Sequence, residues 1–281
     1  MMQVRRAAVA GAFYPADPEE LKQLIRDSYL HRLGPGSEPP AKYSSTGVIS
    51  CVCPHAGYVY SGPVAAHSYL HVSSLRRPEL VIIVAPNHYG VGSGVATFKD
   101  GLWETPLGQV RVNEDAARKI VELTGIVDYD SAAHKMEHSL EVQLPFLQMI
   151  YRQGISLLPV SLAFQDIETA KTLGDGLANL LLGRDAVLIA SSDLTHYEPA
   201  EQAKSKDLQL LKQAEALDVE GFYGTLERLN ITACGYGAIA SVMQASKKIG
   251  FKRGEVLKYA SSGDTTRDMN EVVGYASLRF V

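Results

Sequence analysis

The stretch Val48-Ile49-Ser50-Cys51-Val52-Cys53-Pro54-His55-Ala56-Gly57 opens as an almost wholly apolar, β-branched run and ends abruptly in proline, imidazole and glycine. An apolar run without polar alternation predicts a strand covered on both faces, as in the parallel sheets of α/β proteins. The same arrangement recurs along the chain. Residues 81–85 run into Pro86-Asn87-His88, and residues 186–190 run into Ser191-Ser192-Asp193, with His196 three residues on. Further strands are expected at 157–162, 256–260 and 272–280. Helical patterns fill the intervals at 18–33, 64–75, 114–123, 139–152, 167–182, 199–217 and 236–249, with Asp17, Asn113 and Asp166 as capping residues. This alternation predicts an α/β sheet with helices on both faces.

The Gly- and Pro-rich segment 34–40 is a loop with only one helix before it, too early to be an interdomain linker, so one domain over 1–281 is expected. Hydrophobic residues at 46%, charged residues at 21% and 24 glycines with 13 prolines exclude collagen, coiled coil and disorder. With 27 basic against 31 acidic residues the net charge is −4, which leaves no cationic surplus for nucleic acid or anionic lipid. Three cysteines cannot make a disulfide framework and suit the reducing cytoplasm. Tyr14-Pro15-Ala16-Asp17 interrupts the first apolar stretch before it reaches export-signal length. No run approaches the ~20 apolar residues of a membrane helix, so neither export nor membrane insertion is expected.

Ligands of open α/β sheets gather at the carboxyl ends of the strands. Three strands that each deliver an imidazole there, His55, His88 and His196, therefore point to one shared crevice for metal binding or proton transfer. Cys234, in Asn230-Ile231-Thr232-Ala233-Cys234-Gly235-Tyr236-Gly237, sits where a loop opens a helix. Free N–H groups and the helix dipole there favour a thiolate able to ligate or attack, the alternative being a small buried apolar residue. Cys51 and Cys53 lie within the apolar strand and read as packing, with a Cu(I) site built on Cys53 and His55 as the other option.

His134-Lys135-Met136-Glu137-His138 matches the inverted zinc-protease pattern, for which Glu215 or Glu220 would have to supply a third ligand. The segment precedes rather than occupies the clearest helical run, and the strand-end site is preferred. Gly90 to Gly94 is spaced wrongly for a dinucleotide fingerprint and reads as a turn, and the chain has no P-loop and no nucleophile-elbow serine.

Ala10-Gly11-Ala12-Phe13-Tyr14-Pro15, Pro54-His55-Ala56-Gly57-Tyr58-Val59-Tyr60-Ser61-Gly62, Pro86-Asn87-His88, Glu137-His138-Ser139-Leu140-Glu141, Ser191-Ser192-Asp193-Leu194-Thr195-His196 and Thr232-Ala233-Cys234-Gly235 together resemble the Memo family, called AmmeMemoRadiSam system protein B in prokaryotes. The resemblance spans nearly the whole chain, in order. It implies a single domain similar to the class III extradiol (LigB-like) dioxygenases, with a central mixed, mostly parallel sheet. In those enzymes two His and a carboxylate hold non-haem Fe(II).

Carried over by motif, His55 and His88 would be the imidazole ligands and Cys234 would stand in the place of the carboxylate. His196 would be the acid/base histidine, with Asp193 beside it to orient it, and His138 and Glu141 would be supports. Phe13, where eukaryotic relatives have Trp, and Tyr60 would line the substrate pocket. The Trp-to-Phe change counts against the phosphotyrosine-peptide binding proposed for those relatives. A thiolate donor shifts preference toward Fe(II), Zn or Cu and away from hard cations. The functions consistent with this set are an iron-dependent redox enzyme or oxygenase, a zinc hydrolase on the same ligands, and a non-catalytic module that takes a small molecule or peptide in the crevice. The system name implies a radical-SAM partner.

Overall fold

The computed structural model describes residues 3–40, 46–75, 77–152 and 154–281. Five parallel strands form the middle of the sheet, in the spatial order Gly108–Val112, Ser156–Leu162, Leu80–Pro86, Ala186–Ser191 and Val48–Cys53. Val272–Phe280 continues the sheet antiparallel to Val48–Cys53, and pairs in turn with Gly254–Ser261 and with the short His196–Glu198. Leu102–Thr105 and Val4–Arg5 extend the opposite end. The mixed, mostly parallel α/β sheet is thus the observed fold class.

Side chains alternate across a strand, and the two faces of this sheet feed two separate cores. Val52, Ile82, Val84, Leu188 and Ala190 pack beneath the helices Glu114–Thr124, Ile167–Leu181, Val219–Leu229 and Tyr236–Lys248. Cys51, Cys53, Val81, Ile83, Val187 and Ile189 pack beneath Pro18–Leu30, Tyr58–Val72 and Leu144–Tyr151. Burial on both sides is why these strands carry no polar alternation. Cys51 and Cys53 are fully buried among these apolar groups, and burial pushes both thiols up, Cys51 to about 12.

Asp17, Asn113 and Asp166 each accept backbone N–H groups of the helix that follows. Several elements depart from the sequence reading, and the helix expected at 64–75 is Tyr58–Val72, which carries Pro63 inside it. The helix Val219–Leu229, capped by Asp218, contains Gly221 and Gly224, which weaken its helical signal. The single helix expected at 139–152 is a 3₁₀ turn, Glu141–Gln143, followed by a helix whose first turn holds Pro145. The hairpin of Leu102–Thr105 and Gly108–Val112 was not foreseen at all. Among the described residues no helix is long and apolar enough to cross a membrane.

Register sets the position of the site. Cys53 lies opposite Ser191, Val84 opposite Ala190, and Pro86 opposite Leu162, so the strands end almost in line at one edge. The N-terminal segment is tied to the loop crossing that edge by a buried ion pair. The Arg5 guanidinium donates to Glu141 Oε2 at 2.6 Å, to the His134 carbonyl at 2.7 Å and to the Glu137 carbonyl at 2.6 Å, and lies 4.3 Å from the centre of the Trp103 ring. Glu141 also accepts the N–H groups of Ala8 and Val9 and the Tyr14 hydroxyl. A carboxylate removed from water is tolerable only with such a full set of donors.

Removal of one partner of a buried ion pair strands the other charge. Glu141→Ala is therefore expected to lower unfolding free energy by about 3–5 kcal/mol in urea titrations, with Arg5→Met/Glu141→Leu recovering part of the loss. A loss below about 1 kcal/mol, the usual worth of an exposed pair, contradicts the structural role assigned to Glu141.

Candidate metal centre

His55 and His88 follow directly from the aligned ends of Val48–Cys53 and Leu80–Pro86, and His138 enters from the loop that Arg5 and Glu141 hold down. One ligand atom of each of these three lies within 4.8 Å of the other two. The His88 and His138 rings stack at 4.6 Å, and His55 meets both edge-on at 5.2 and 5.4 Å.

The hydrogen bonds decide which nitrogen of each ring bears a lone pair. Ser191 Oγ donates its single proton to the Ser139 carbonyl at 2.7 Å and accepts from Gln143 Nε2 at 2.7 Å. His55 Nδ1, 2.9 Å from Ser191 Oγ, must then be the donor, which leaves the lone pair on Nε2. Gln143 is itself fixed, since its Nε2 also donates to the Pro54 carbonyl and its Oε1 accepts from the Tyr69 hydroxyl. His88 Nδ1 donates to Glu137 Oε1 at 3.0 Å, while the backbone N–H groups of His88 and Ser139 bind the same carboxylate. His196 Nδ1 faces the carbonyls of Leu194 at 2.7 Å and Thr232 at 3.0 Å, which can only accept. All three rings are thus set with the proton on Nδ1 and the lone pair on Nε2. Metal-binding histidines are commonly fixed by a second partner in this way.

Burial, and then the neighbouring imidazoles His138 and His88, hold His55 far below the usual histidine range, and burial brings His138 down to about 4. Both rings are therefore neutral, the form that ligates. Burial alone would raise the Glu137 carboxyl, but the His88 hydrogen bond, the Ser139 N–H and the neighbouring imidazoles hold it below the carboxylate range. Asp193 is pushed up to about 6, mainly by burial. Expected to orient His196, Asp193 accepts the His55 backbone N–H on Oδ1 at 2.8 Å.

Cys234 lies one residue before Gly235, the N-cap of Tyr236–Lys248. A Cβ on Gly235 would come within 2.4 Å of the Ser191 carbonyl, so glycine is what lets this helix start approach the strand end. The approach puts Cys234 Sγ 3.1 Å from His55 Nε2 and 3.3 Å from the Asp193 N–H. Donors bound to one ion at about 2.0 to 2.3 Å can stand no more than about 4.4 Å apart, so sulfur and His55 nitrogen are within reach of a common ion. Helix-start thiolate character does not develop here in the absence of an ion. Burial, and then the charge of Asp193, raise the thiol well above the ordinary cysteine range, so binding to a metal would release its proton.

Above the cluster opens a cavity of about 590 Å³, lined by His55, His88, His138, His196, Asp193, Phe13 and Tyr60 among others. Phe13 packs on His138 at 4.5 Å. Glu141 lies away from this cavity, in the N-terminal knot. His134 is also elsewhere, buried edge-on against Phe98 and Trp103 and lowered to about 3 by burial and then by Arg5. It occupies the short helix Ala132–Lys135, whereas His138 lies outside any helix, so the two never share a helix face as the inverted protease pattern requires.

Sequence reasoning placed His138 among the supports, whereas the structure brings it into the imidazole cluster. Glu137 was visible in the protease-like pattern, yet its partner His88 is 49 residues away. Nothing in the sequence marked Gln143 or the hydroxyl of Ser191 as the groups that fix His55.

The family model described as Memo-like protein matches residues 5–279. A MEMO1 family protein of Methanopyrus kandleri is 46% identical over 278 residues, covering 98% of each chain. A MEMO1 family protein of Nitrosopumilus maritimus is 45% identical, covering 99% of this chain and 100% of its own. Among solved structures, the uncharacterised protein JW3007 of Escherichia coli K12 is similar, with a TM-score of 0.56 over 83% of this chain and 99% of its own. At 15% identity that likeness concerns the fold alone.

Zinc or cobalt titration of variants separates the cluster from its surroundings. His55→Ala is expected to abolish tight binding, and Glu137→Gln to weaken it about 10–100-fold through loss of the His88 partner. His134→Ala is expected to leave stoichiometry and affinity unchanged, and a loss of metal in that variant would contradict this assignment of the site.

Proposed function

The chain belongs to the Memo family, and on that premise we propose that it is a metal-dependent redox enzyme whose ion is held by His55, His88 and His138, the three whose ligand atoms converge, with Cys234 beside His55 as a further donor. The observation that carries this reading is the shared tautomer. Rings delivered by separate strand ends aim their lone pairs into one cavity because each Nδ1 is already engaged. Imidazoles with one sulfur suit iron, zinc or copper rather than magnesium or calcium. Iron(II) is the preferred ion, and when bound it would supply a Lewis acid toward a small hydroxylated substrate and a relay for electrons passing from that substrate to dioxygen, the oxidant.

The chain's own groups divide the remaining work. His196, anchored through Nδ1 to two carbonyls, presents Nε2 to the cavity as the acceptor for a substrate hydroxyl proton. Asp193, by holding the His55 backbone N–H, fixes the loop from which His55 projects. Phe13 and Tyr60 offer ring faces that would position an apolar or aromatic part of the substrate and displace water from it. Thiol and imidazole donors of this kind, with free cysteines throughout, fit a cytoplasmic enzyme.

Protein purified without oxygen is expected to contain about one iron per chain, and the metal-loaded form to resist alkylation at Cys234, since the ion occupies the sulfur lone pair. Stoichiometric zinc in place of iron would favour hydrolysis over redox chemistry. Equal alkylation of metal-loaded and metal-free protein would remove Cys234 from the ligand set.

A further inference from the structure

The cavity has a charge pattern that its imidazole floor does not require. Its mouth is formed by Asp268 and Glu271 together with the faces of Tyr60 and Tyr197, and among the described residues no lysine or arginine lines it. Among the described residues Glu271 makes no hydrogen bond or ion pair, and the Asp268 carboxylate accepts only from the backbone and side-chain amide of Asn270. These carboxylates therefore carry uncompensated charge at the entrance. Deeper down, Glu137, Asp193 and a metal-bound Cys234 thiolate would together more than offset the formal charge of a divalent ion, so the ion does not call for further carboxylates at the mouth.

Tyr197 adds a second, independent feature. It adopts φ of +58°, a left-handed conformation that costs energy in a tyrosine, and stands 74% exposed at the cavity mouth, beside His196 at 5.7 Å. Backbone strain of this kind persists where the surroundings impose it and gathers at ligand sites. Exposed aromatic faces together with unpaired carboxylates are how proteins recognise organic cations, through ring quadrupoles and direct charge attraction. An anionic ligand would meet repulsion at these carboxylates and, among the described residues, find no lysine or arginine lining the mouth.

We infer that the cavity selects ligands bearing a positively charged ammonium or guanidinium group, held at the mouth by Asp268, Glu271 and the tyrosine faces while the remainder of the ligand extends toward the imidazoles. The inference rests on the reading of this cavity as the substrate site, and it assigns Asp268 and Glu271 as specificity-determining residues. It accounts for an acidic entrance that metal binding alone leaves without a purpose.

The test is a matched set of phenols differing only in the charge of the side arm: tyramine, para-ethylphenol and para-hydroxyphenylpropanoate, titrated calorimetrically into the metal-loaded protein at low salt. Tyramine is expected to bind about tenfold more tightly than the neutral phenol and the propanoate more weakly than either, with the spread shrinking as salt is added. In Asp268→Asn/Glu271→Gln, whose side chains are exposed, the advantage of tyramine should fall to within about twofold while the neutral phenol is unaffected. Equal or tighter binding of the propanoate, an unchanged preference in the double variant, or binding of none of the three would overturn the inference. Metal content measured on the same samples keeps the two claims apart. Protein that holds no metal yet keeps the order of charges supports the cation site and defeats the metal reading, whereas metal-loaded protein with the order reversed does the opposite.

Discussion

The hydroxyl of Ser191 has one proton, and that proton is committed to the carbonyl of Ser139. From this follows the chemistry of the buried end of the cavity. An oxygen whose proton is already given away can only accept from His55, so His55 must carry its proton on Nδ1 and turn a bare Nε2 toward Cys234 and the cavity. Gln143, the second donor to that hydroxyl, completes its valence and is itself held by Pro54 and Tyr69. Inside a protein a network in which every member is satisfied is rigid, because each alternative orientation leaves a buried polar group unpaired.

The same logic operates at the other imidazoles with different partners. A carboxylate, Glu137, fixes His88, and two carbonyls fix His196. What allows these unrelated contacts to act at one point is the parallel register, which ends three strands nearly in line. The loop bearing Glu137 and His138 belongs to no strand and needs its own restraint. The Arg5 and Glu141 pair supplies it, by tying the first residues of the chain to the middle of the sequence.

The fold was legible because its signal is local. Apolar runs such as Val48–Cys53 and Ala186–Ser191 stand out without any knowledge of their neighbours, and Asp17, Asn113 and Asp166 mark their helices from within four residues. The convergence of His55, His88 and His196 was legible for the same reason, since each ends or follows a strand. What remained hidden depends on contacts distant in sequence. Glu137 reads as part of a protease pattern until its loop is seen to lie against His88, and Glu141 reads as a support whose partner, Arg5, lies 136 positions away and cannot be picked out from sequence. Sequence left Cys234 open between a thiolate and a buried thiol, because its position at a helix start is visible there, whereas the burial and the nearby Asp193 that raise it are not. Propensity likewise missed the helix Val219–Leu229, whose stability comes from packing of Val219 and Phe222 rather than from its glycine-containing sequence.

The account centres on an ion bound by strand-end imidazoles with sulfur beside them. X-ray absorption at the zinc edge of zinc-loaded protein addresses this directly, because nitrogen, sulfur and oxygen neighbours scatter differently. The predicted shell holds imidazole nitrogens at about 2.0–2.1 Å, with the outer-ring scattering that marks histidine, and one sulfur at about 2.3 Å. A shell of oxygen alone, without imidazole or sulfur, would contradict the centre proposed for this protein.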